Sequence, residues 1–505
     1  MNEEENKRLT EVAEAVEEPE EERDLRGEPP TLRPPREEEE AEESTIVENG
    51  TLAMGHRVSS GQKQRFFRVR RGFAKDECMF VRQVFQSAGW RETNTEGPWW
   101  HLTWAARYTP ADYAGMKPYQ KVNVLPAMPE ICRKDLLHKN IQRRRQQLGE
   151  EAFAFWPKGF LLEEEEQFQE FQQLFLPDNI AKNSGDKPVY IIKLPLTANG
   201  KGVHLVTCAE EVAALKGEDS VCYPLEKKHP LAQEYIKDVM LVDGFKVTLR
   251  VYVAITSFDP LRIYVYPNGL VRMCSQRYSL DSFEDACAHI DSFELNQHYE
   301  AEFQQRVSPS LRHDGLRCDI KYFMEVMKEE QGMDTDKLWR DIKYAVAMCV
   351  VSAEDVMSNW VCKLVKHRAN AFEILGYDVL VSNSGEVFIL EVNHTPSLCP
   401  HTALENEIKV NMLTELYTLV GCFQPEVCPA TTSRIVGDKW AALERRKERQ
   451  EEMIIRGFDL SRIQTKQDLW VIVDSELEVF QLLSLLSLSS RSLSLLLALF
   501  SFSLH

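Results

Sequence analysis

The stretch Phe372–Ser397, "FEILGYDVLVSNSGEVFILEVNHTPS", sets two carboxylates and an amide inside two apolar runs: Asp378 in the first, Glu391 and Asn393 at the end of the second. Ser382-Asn383-Ser384-Gly385 is turn chemistry between them. Side chains alternate along a strand, so Val387, Ile389, Glu391 and Asn393 are expected on one face. A connecting loop of even length sets Asp378 opposite Ile389, diagonal to Glu391 at roughly 7–8 Å. An odd loop turns Asp378 to the other face. Two carboxylates converging beside apolar strands repel each other and lose hydration. A cation between them relieves both costs, and oxygen donors suit Mg2+. The hairpin taken alone is equally a strand end whose Asp378 reaches solvent.

Two further stretches could hold phosphate. Residues 189–206, "VYIIKLPLTANGKGVHLV", read strand, loop, strand, with Lys193 ending the first strand and Gly200-Lys201-Gly202 preceding the second. Glycines let the backbone approach a ligand, and its N–H groups can then point at phosphate oxygens. The GxxxxGK[ST] pattern is absent, and "NGKG" is more commonly a plain hairpin turn. In residues 231–253, "LAQEYIKDVMLVDGFKVTLRVYV", Lys246, Thr248 and Arg250 alternate with Phe245, Val247, Leu249 and Val251. On a central strand, two cations and a hydroxyl on one face call for an anionic partner such as polyphosphate; on an edge strand they face water.

The elements around these stretches alternate. "FVRQVFQSAGW" is expected to be a helix that Gly89 can end. "PVYIIKLP" and "RVYVAITSF" are strands rich in β-branched and aromatic residues. "DKLWRDIKYAVAMCVVSAEDVM" has helical apolar spacing through Leu338, Ile342, Ala345, Val346 and Val350. A helix followed by a strand–turn–strand suits an α+β fold. "KWAALERRKERQEEMIIRGF" is a late charged helix.

The 505 residues allow two or three domains. Residues 1–50 hold 19 acidic against 6 basic residues, so most of the net charge of −19 sits in this stretch. It cannot bury enough apolar surface to order itself and is expected to be disordered. The twelve cysteines contain no CxxC pair, and several lie in apolar runs, which points to reduced thiols inside a cell. The first residues are acidic and polar, so a leader is not expected there. The last residues are almost wholly Leu and Ser with Arg491 among them, and are expected to be a low-complexity extension rather than an anchor.

"FEILGYDVL" followed by "LEVNHTPSL" resembles the tubulin tyrosine ligase-like enzymes, closest to their polyglutamylase branch. "YQKVNVLPAMPEICRKDLLHKNIQR", "FWPKGFLL", "QEYIKDVMLVDGFK", "RVYVAITSFDPLRIYVY" and "GLVRMCSQRY" follow the family order, so the likeness runs from about Phe66 to Val420, and weakly to Ile463. It implies an α+β ATP-grasp fold: an acidic tail over 1–60, an N-terminal domain over 61–157, a central domain over 158–243, a C-terminal domain over 244–430, a basic helical extension over 431–465 and a tail over 466–505. ATP would lie between the central and C-terminal domains.

The implied activity is an ATP-dependent ligation of glutamate to glutamate side chains of tubulin tails through an acyl phosphate. The rival readings are a microtubule-binding protein without activity, a glycine ligase, or a ligase acting on another protein. By position the resemblance gives Asp378, Glu391 and Asn393 to Mg2+. Lys193, Gly200, Lys201, Gly202, Gln233, Tyr235, Lys246, His289 and Asn296 go to the nucleotide, and Arg250, Arg272 and Glu391 to catalysis. Expected partners are tubulin or microtubules and free glutamate, with neither nucleic acid nor a membrane. The expected location is the cytoplasm and cytoskeleton, including cilia or basal bodies. "NIQRRRQQ", with Arg143, Arg144 and Arg145, and "LERRKERQ", with Arg445, Arg446, Lys447 and Arg449, are the basic runs that could meet acidic tubulin tails.

The sequence departs from the family pattern in places. "K-F-D-x-R" appears as "KVTLR", so Thr248 stands where an acid is usual. "H-L-T-N-x-x-I-N-K" appears as "HIDSFELNQ", residues 289–297: His289 and Asn296 remain, Asp291 and Ser292 replace the Thr and Asn, and Gln297 replaces the Lys. The strand of Lys193 lacks the usual proline after its lysine.

Overall fold

The computed structural model describes residues 64–423, apart from 71–77, 95–96, 98, 183–186, 196, 198–201, 259, 301–302, 304–315 and 400–401. The acidic 1–60 stretch, the basic 431–465 stretch, the Leu/Ser tail, Gly200 and Lys201 lie outside the described residues.

Three sheets form in chain order. The first is parallel, with order β2-β1-β3-β4, from β1 (Phe66–Val69), β2 (Arg91–Glu92), β3 (Leu102–Trp104) and β4 (Lys121–Val122). The second is antiparallel, with order β5-β8-β6-β7, from β5 (Gly159–Leu161), β6 (Tyr190–Lys193), β7 (Val203–Val206) and β8 (Leu231–Glu234). The third has six strands: β9 (Leu241–Val242), β10 (Phe245–Phe258), β11 (Leu261–Arg277), β12 (Arg317–Asp319), β13 (Glu373–Val381) and β14 (Val387–His394). Its order is β12-β11-β10-β13-β14, with β9 on β10.

Strand β10 is central, paired to β11 on one side and to β13 on the other. The edge-strand reading of Lys246, Thr248 and Arg250 is therefore wrong: neighbours on both sides fix this face over a cleft. On the opposite face Phe245, Val247, Leu249 and Val251 are buried in the main core with the helix Thr335–Leu364. That helix starts where the Asp334 side chain accepts from the Lys337 N–H at 2.9 Å, and it buries Leu338, Ile342, Ala345, Val346 and Val350, as their spacing predicts. Among the described residues it alone is long and apolar enough to cross a membrane, yet most of its apolar length lies inside the protein. The helix Met79–Ser87 also forms where expected, with Gly89 at φ +79° just past its end.

The cores follow the sheets. The main core joins Leu137, Ile141 and Trp156 to the third sheet. A second joins Phe67, Phe85 and Trp104 to Tyr252 and Tyr417. The second sheet has its own small core, with Phe168, Phe171 and Ile192 fully buried. All eleven cysteines among the described residues are free.

Candidate active site

The β13–β14 hairpin corrects the expected register. Its loop, residues 382–386, is odd in length, which by strict alternation would turn Asp378 away from Glu391. The ladder instead shifts by one residue between Asp378 and Val379: Val379 pairs with Ile389, while Asp378 pairs with Glu391. Leu390 is the extra residue of a β-bulge. The bulge also splits the face predicted to hold four residues together. Val387 and Ile389 stay in the core with Val392, whereas Glu391 and Asn393 turn to the cleft. Asp378 therefore faces Glu391 directly rather than diagonally.

A row of charge crosses the sheet at this level. Arg250 on β10 stands opposite Asp378 on β13, which stands opposite Glu391 on β14. Arg250 Nε and Nη2 donate to the two Asp378 oxygens at 2.6 and 2.9 Å, a bidentate pair. Gly376 makes room for it, because a Cβ there would sit 3.0 Å from Arg250 Cδ and from Pro396 Cβ. Arg272 Nη1 adds a contact to Asp378 at 3.3 Å. Asn393 Nδ2 bridges the carboxylates, donating to Glu391 Oε1 at 3.0 Å and to Asp378 Oδ2 at 3.3 Å. Lys134 Nζ lies 3.2 Å from Glu391 Oε2. Burial raises the Asp378 carboxyl, although Arg250 and Arg272 oppose the rise. Burial acts on Glu391 in the same sense, but Lys134 and Asn393 outweigh it and hold that carboxyl below its usual range.

Lys193 ends β6 and reaches across from the second sheet. Its Nζ donates to Gln233 Oε1 at 2.7 Å and to the Leu390 carbonyl at 2.9 Å. Burial pulls its pKa down to about 7. Lys246 Nζ donates to Tyr235 Oη at 3.1 Å, and Tyr235 Oη is 2.9 Å from His289 Nδ1. His289 Nε2 is 3.0 Å from the Ser282 carbonyl, so the neutral ring carries its proton on Nε2 and accepts from Tyr235 through Nδ1. Burial lowers the His289 pKa, in keeping with that neutral form.

One cleft of about 790 Å3 joins these groups. It is lined by Lys193, Gln233, Tyr235, Lys246, Arg250, Arg272, His289, Asn296, Asp378, Glu391 and Asn393, eleven of the residues expected from sequence. The Asn296 amide is fully engaged by protein: Oδ1 accepts from Ser275 N–H and hydroxyl, and Nδ2 donates to the Ile290 and Ser292 carbonyls. Gly202 does not line the cleft. It bends the β6–β7 hairpin at φ +66°, where a Cβ would meet Leu194 Cδ1 at 2.8 Å. That hairpin spans nine residues, 194–202, and so is no tight turn.

The sequence reading missed Lys134, which sits in a helical run of basic residues that carries no signal of a site. It also missed Arg317, Glu405 and Lys409, a buried charged group on the cleft wall. Lys409 Nζ donates to Glu405 Oε2 at 2.5 Å and to the Cys399 carbonyl at 2.8 Å, and Arg317 pairs with Glu405 Oε1. Within the Arg143–Arg145 run the expectation is corrected for Arg145, which is buried and donates to the Phe153 and Trp156 carbonyls, while Arg143 and Arg144 pair with Asp355 and stay partly exposed.

The sequence model of the tubulin-tyrosine ligase family matches residues 114–428. The chain belongs to the tubulin-tyrosine ligase family. The match spans every strand of the second and third sheets, and with them the cleft. A Mus musculus protein named tubulin polyglutamylase TTLL6 is 30% identical over 435 residues, covering 84% of this chain and 49% of the relative. A Danio rerio protein of the same name is 31% identical over 347 residues, covering 67% and 41%. Tubulin polyglutamylase TTLL5 of Mus musculus is 28% identical over 365 residues, covering 72% and 26%. The chain thus spans about half or less of the length of these relatives.

Among the described residues there is no cluster of three or more His, Cys, Asp and Glu suited to a metal. The candidate set is instead two carboxylates and the Asn393 amide, whose Nδ2 lies between them here and whose oxygen would have to turn to the metal. These are hard oxygen donors of the kind Mg2+ takes, within a cleft that has room for phosphate oxygens.

Proposed function

We infer that this chain is an ATP-grasp ligase of the tubulin-tyrosine ligase family. It would join glutamate to glutamate side chains on tubulin tails, and so act in the cytoplasm on microtubules, including those of cilia or basal bodies. The observation that carries this reading is the convergence in one cleft of Asp378, Glu391 and Asn393 with Lys134, Lys193, Arg250 and Arg272. The relatives named tubulin polyglutamylases supply the substrate class.

In the reaction the acceptor carboxylate attacks the γ-phosphorus of ATP, and the bond to the ADP oxygen breaks. The amine of the incoming amino acid then attacks the acyl carbon. Phosphate leaves, and the amine loses a proton as the amide forms. Asp378, Glu391 and Asn393 would hold Mg2+, which when bound neutralises phosphate charge. Lys193 and Lys134 present their amino groups to the same space from the second sheet and from the helix Lys134–Leu148. Arg272, the more exposed of the two arginines on Asp378, is placed to take a substrate carboxylate or phosphate. The central and C-terminal ATP-grasp domains would correspond to 158–243 and 244–430, with the N-terminal domain over 61–157.

One observation favours a second reading, a microtubule-binding protein without ligase activity. Arg250 occupies both oxygens of Asp378, the carboxylate that would have to turn to the metal. Incubation with microtubules, ATP, Mg2+ and either glutamate or glycine separates the readings, with mass spectrometry of the tubulin tails as the readout. Added glutamate supports ligation as proposed, added glycine moves the chain to the glycine ligases, and bound but unmodified microtubules leave the second reading.

A further inference from the structure

Thr248 and Asp291 were two separate departures from the family pattern, an acid missing from β10 and an acid added to the 289–297 segment. They touch: the Thr248 hydroxyl donates to Asp291 Oδ2. The usual pattern has Asp on the strand and Thr on the segment, so the acid and the hydroxyl have changed places across one contact. We propose that Asp291 supplies from the segment the carboxylate that β10 lacks, and that it positions Arg272. The proposal rests on the ligase reading above.

Geometry supports a role wider than the single hydrogen bond. Thr248 stands opposite Arg272 in the β10–β11 register. Arg272 Nη1 lies 3.7 Å from Asp291 Oδ2 and 3.3 Å from Asp378 Oδ2, held between carboxylates on two walls of the cleft. With Asp291 removed, Asp378 would be left as the carboxylate that pairs with that guanidinium. Asp291 Oδ1 has no hydrogen-bond donor among the described residues, and the residue lines the cleft. Two other clamps fix the same segment, the His289 contact with Tyr235 and the Asn296 contact with Ser275. The segment is thus held independently of Asp291, which leaves that carboxylate to orient Arg272.

The exchange is directly testable with four full-length proteins: wild type, Thr248→Asp, Asp291→Thr, and the double Thr248→Asp/Asp291→Thr. Each single variant is expected to lose roughly 10- to 100-fold in glutamylation turnover. Thr248→Asp opposes two carboxylates, and Asp291→Thr leaves none. The double variant is expected to recover to within about threefold of wild type, because contacting residues couple non-additively. A double variant whose loss equals the product of the two single losses overturns the proposal, as does an Asp291→Thr variant of wild-type turnover. Asp291→Asn keeps the shape and the acceptor for Thr248 but not the charge. It is expected to be nearly as impaired as Asp291→Thr, whereas wild-type turnover would reduce Asp291 to a structural hydrogen bond and overturn its positioning role. A wild type that neither binds Mg-ATP nor ligates defeats the functional reading before any variant is made. The exchange is then read from melting temperatures of the four unliganded proteins: recovery in the double variant sustains it, and additive losses overturn it.

Discussion

Lys193 Nζ lies 2.9 Å from the carbonyl oxygen of Leu390, the residue that the β13–β14 ladder leaves over. The bulge does two things with one residue. It turns Glu391 to the cleft opposite Asp378, and it frees a backbone acceptor that receives a lysine from the other sheet. The amine and the carboxylate pair are thereby set relative to each other by backbone geometry rather than by a flexible side chain.

Lys193 makes the first prediction. Burial brings its pKa down to about 7, so the free protein loses this charge near neutrality. Phosphate oxygens favour the charged form and raise the pKa when nucleotide binds. Above pH 7 binding must therefore take up a proton, and affinity falls as pH rises from about 7 to about 9. Calorimetry at pH 8 in two buffers of different ionisation heat measures the uptake. A result of zero protons would remove Lys193 from the phosphate site.

Glu391 makes the second. Glu391→Gln keeps the shape but cannot neutralise a cation, and it removes the charge that Lys134 pairs with. Turnover should fall by at least about 100-fold. Nucleotide affinity should also stop responding to Mg2+, as wild-type affinity should when the metal is chelated. An unchanged response to Mg2+ in the variant would sink the metal assignment, whatever its turnover.

Much of this site was legible in the sequence because it rests on period-two alternation. Lys246, Thr248 and Arg250 face the cleft and Phe245, Val247 and Leu249 the core, as read. The register of the hairpin was not legible, because a bulge is a single-residue irregularity that alternation cannot show. Strict alternation predicted Glu391 beside Ile389, and the bulge separates them. Lys134 was invisible for another reason: its partner is remote in sequence, and nothing local distinguishes it from the basic residues that follow. Thr248 and Asp291 read as two losses until their contact in space made them one exchange.

The buried group at Glu405 makes the third prediction. Its carboxylate serves both Arg317 and Lys409, and all three residues are less than a tenth exposed. Glu405→Gln leaves two buried cations facing a neutral amide. Removing one member of a buried charged set costs about 3–5 kcal/mol, far more than a surface pair. Urea unfolding measures it, and a loss below about 1 kcal/mol would mean that water reaches the cations.

The last prediction separates the two basic runs as contacts for acidic tubulin tails. Arg145 is spent inside the protein on the Phe153 and Trp156 carbonyls, so Arg145→Ala should cost about 1–3 kcal/mol of stability by leaving buried acceptors unpaired. Arg143 and Arg144 are already answered by Asp355, which halves the positive field that they could project. The load then falls on Arg445, Arg446, Lys447 and Arg449, which lie outside the described residues. Attraction between exposed charges fades as the Debye length shortens, to about 8 Å at physiological salt. Changing these four residues to Glu should weaken microtubule binding by at least about tenfold at low salt and flatten its salt dependence, with Mg-ATP binding intact. Changing Arg143 and Arg144 to Glu should alter microtubule affinity by less than about twofold, since their net field is small. The reverse ranking in co-sedimentation across a salt series would place the tubulin contact on the helix Lys134–Leu148 instead.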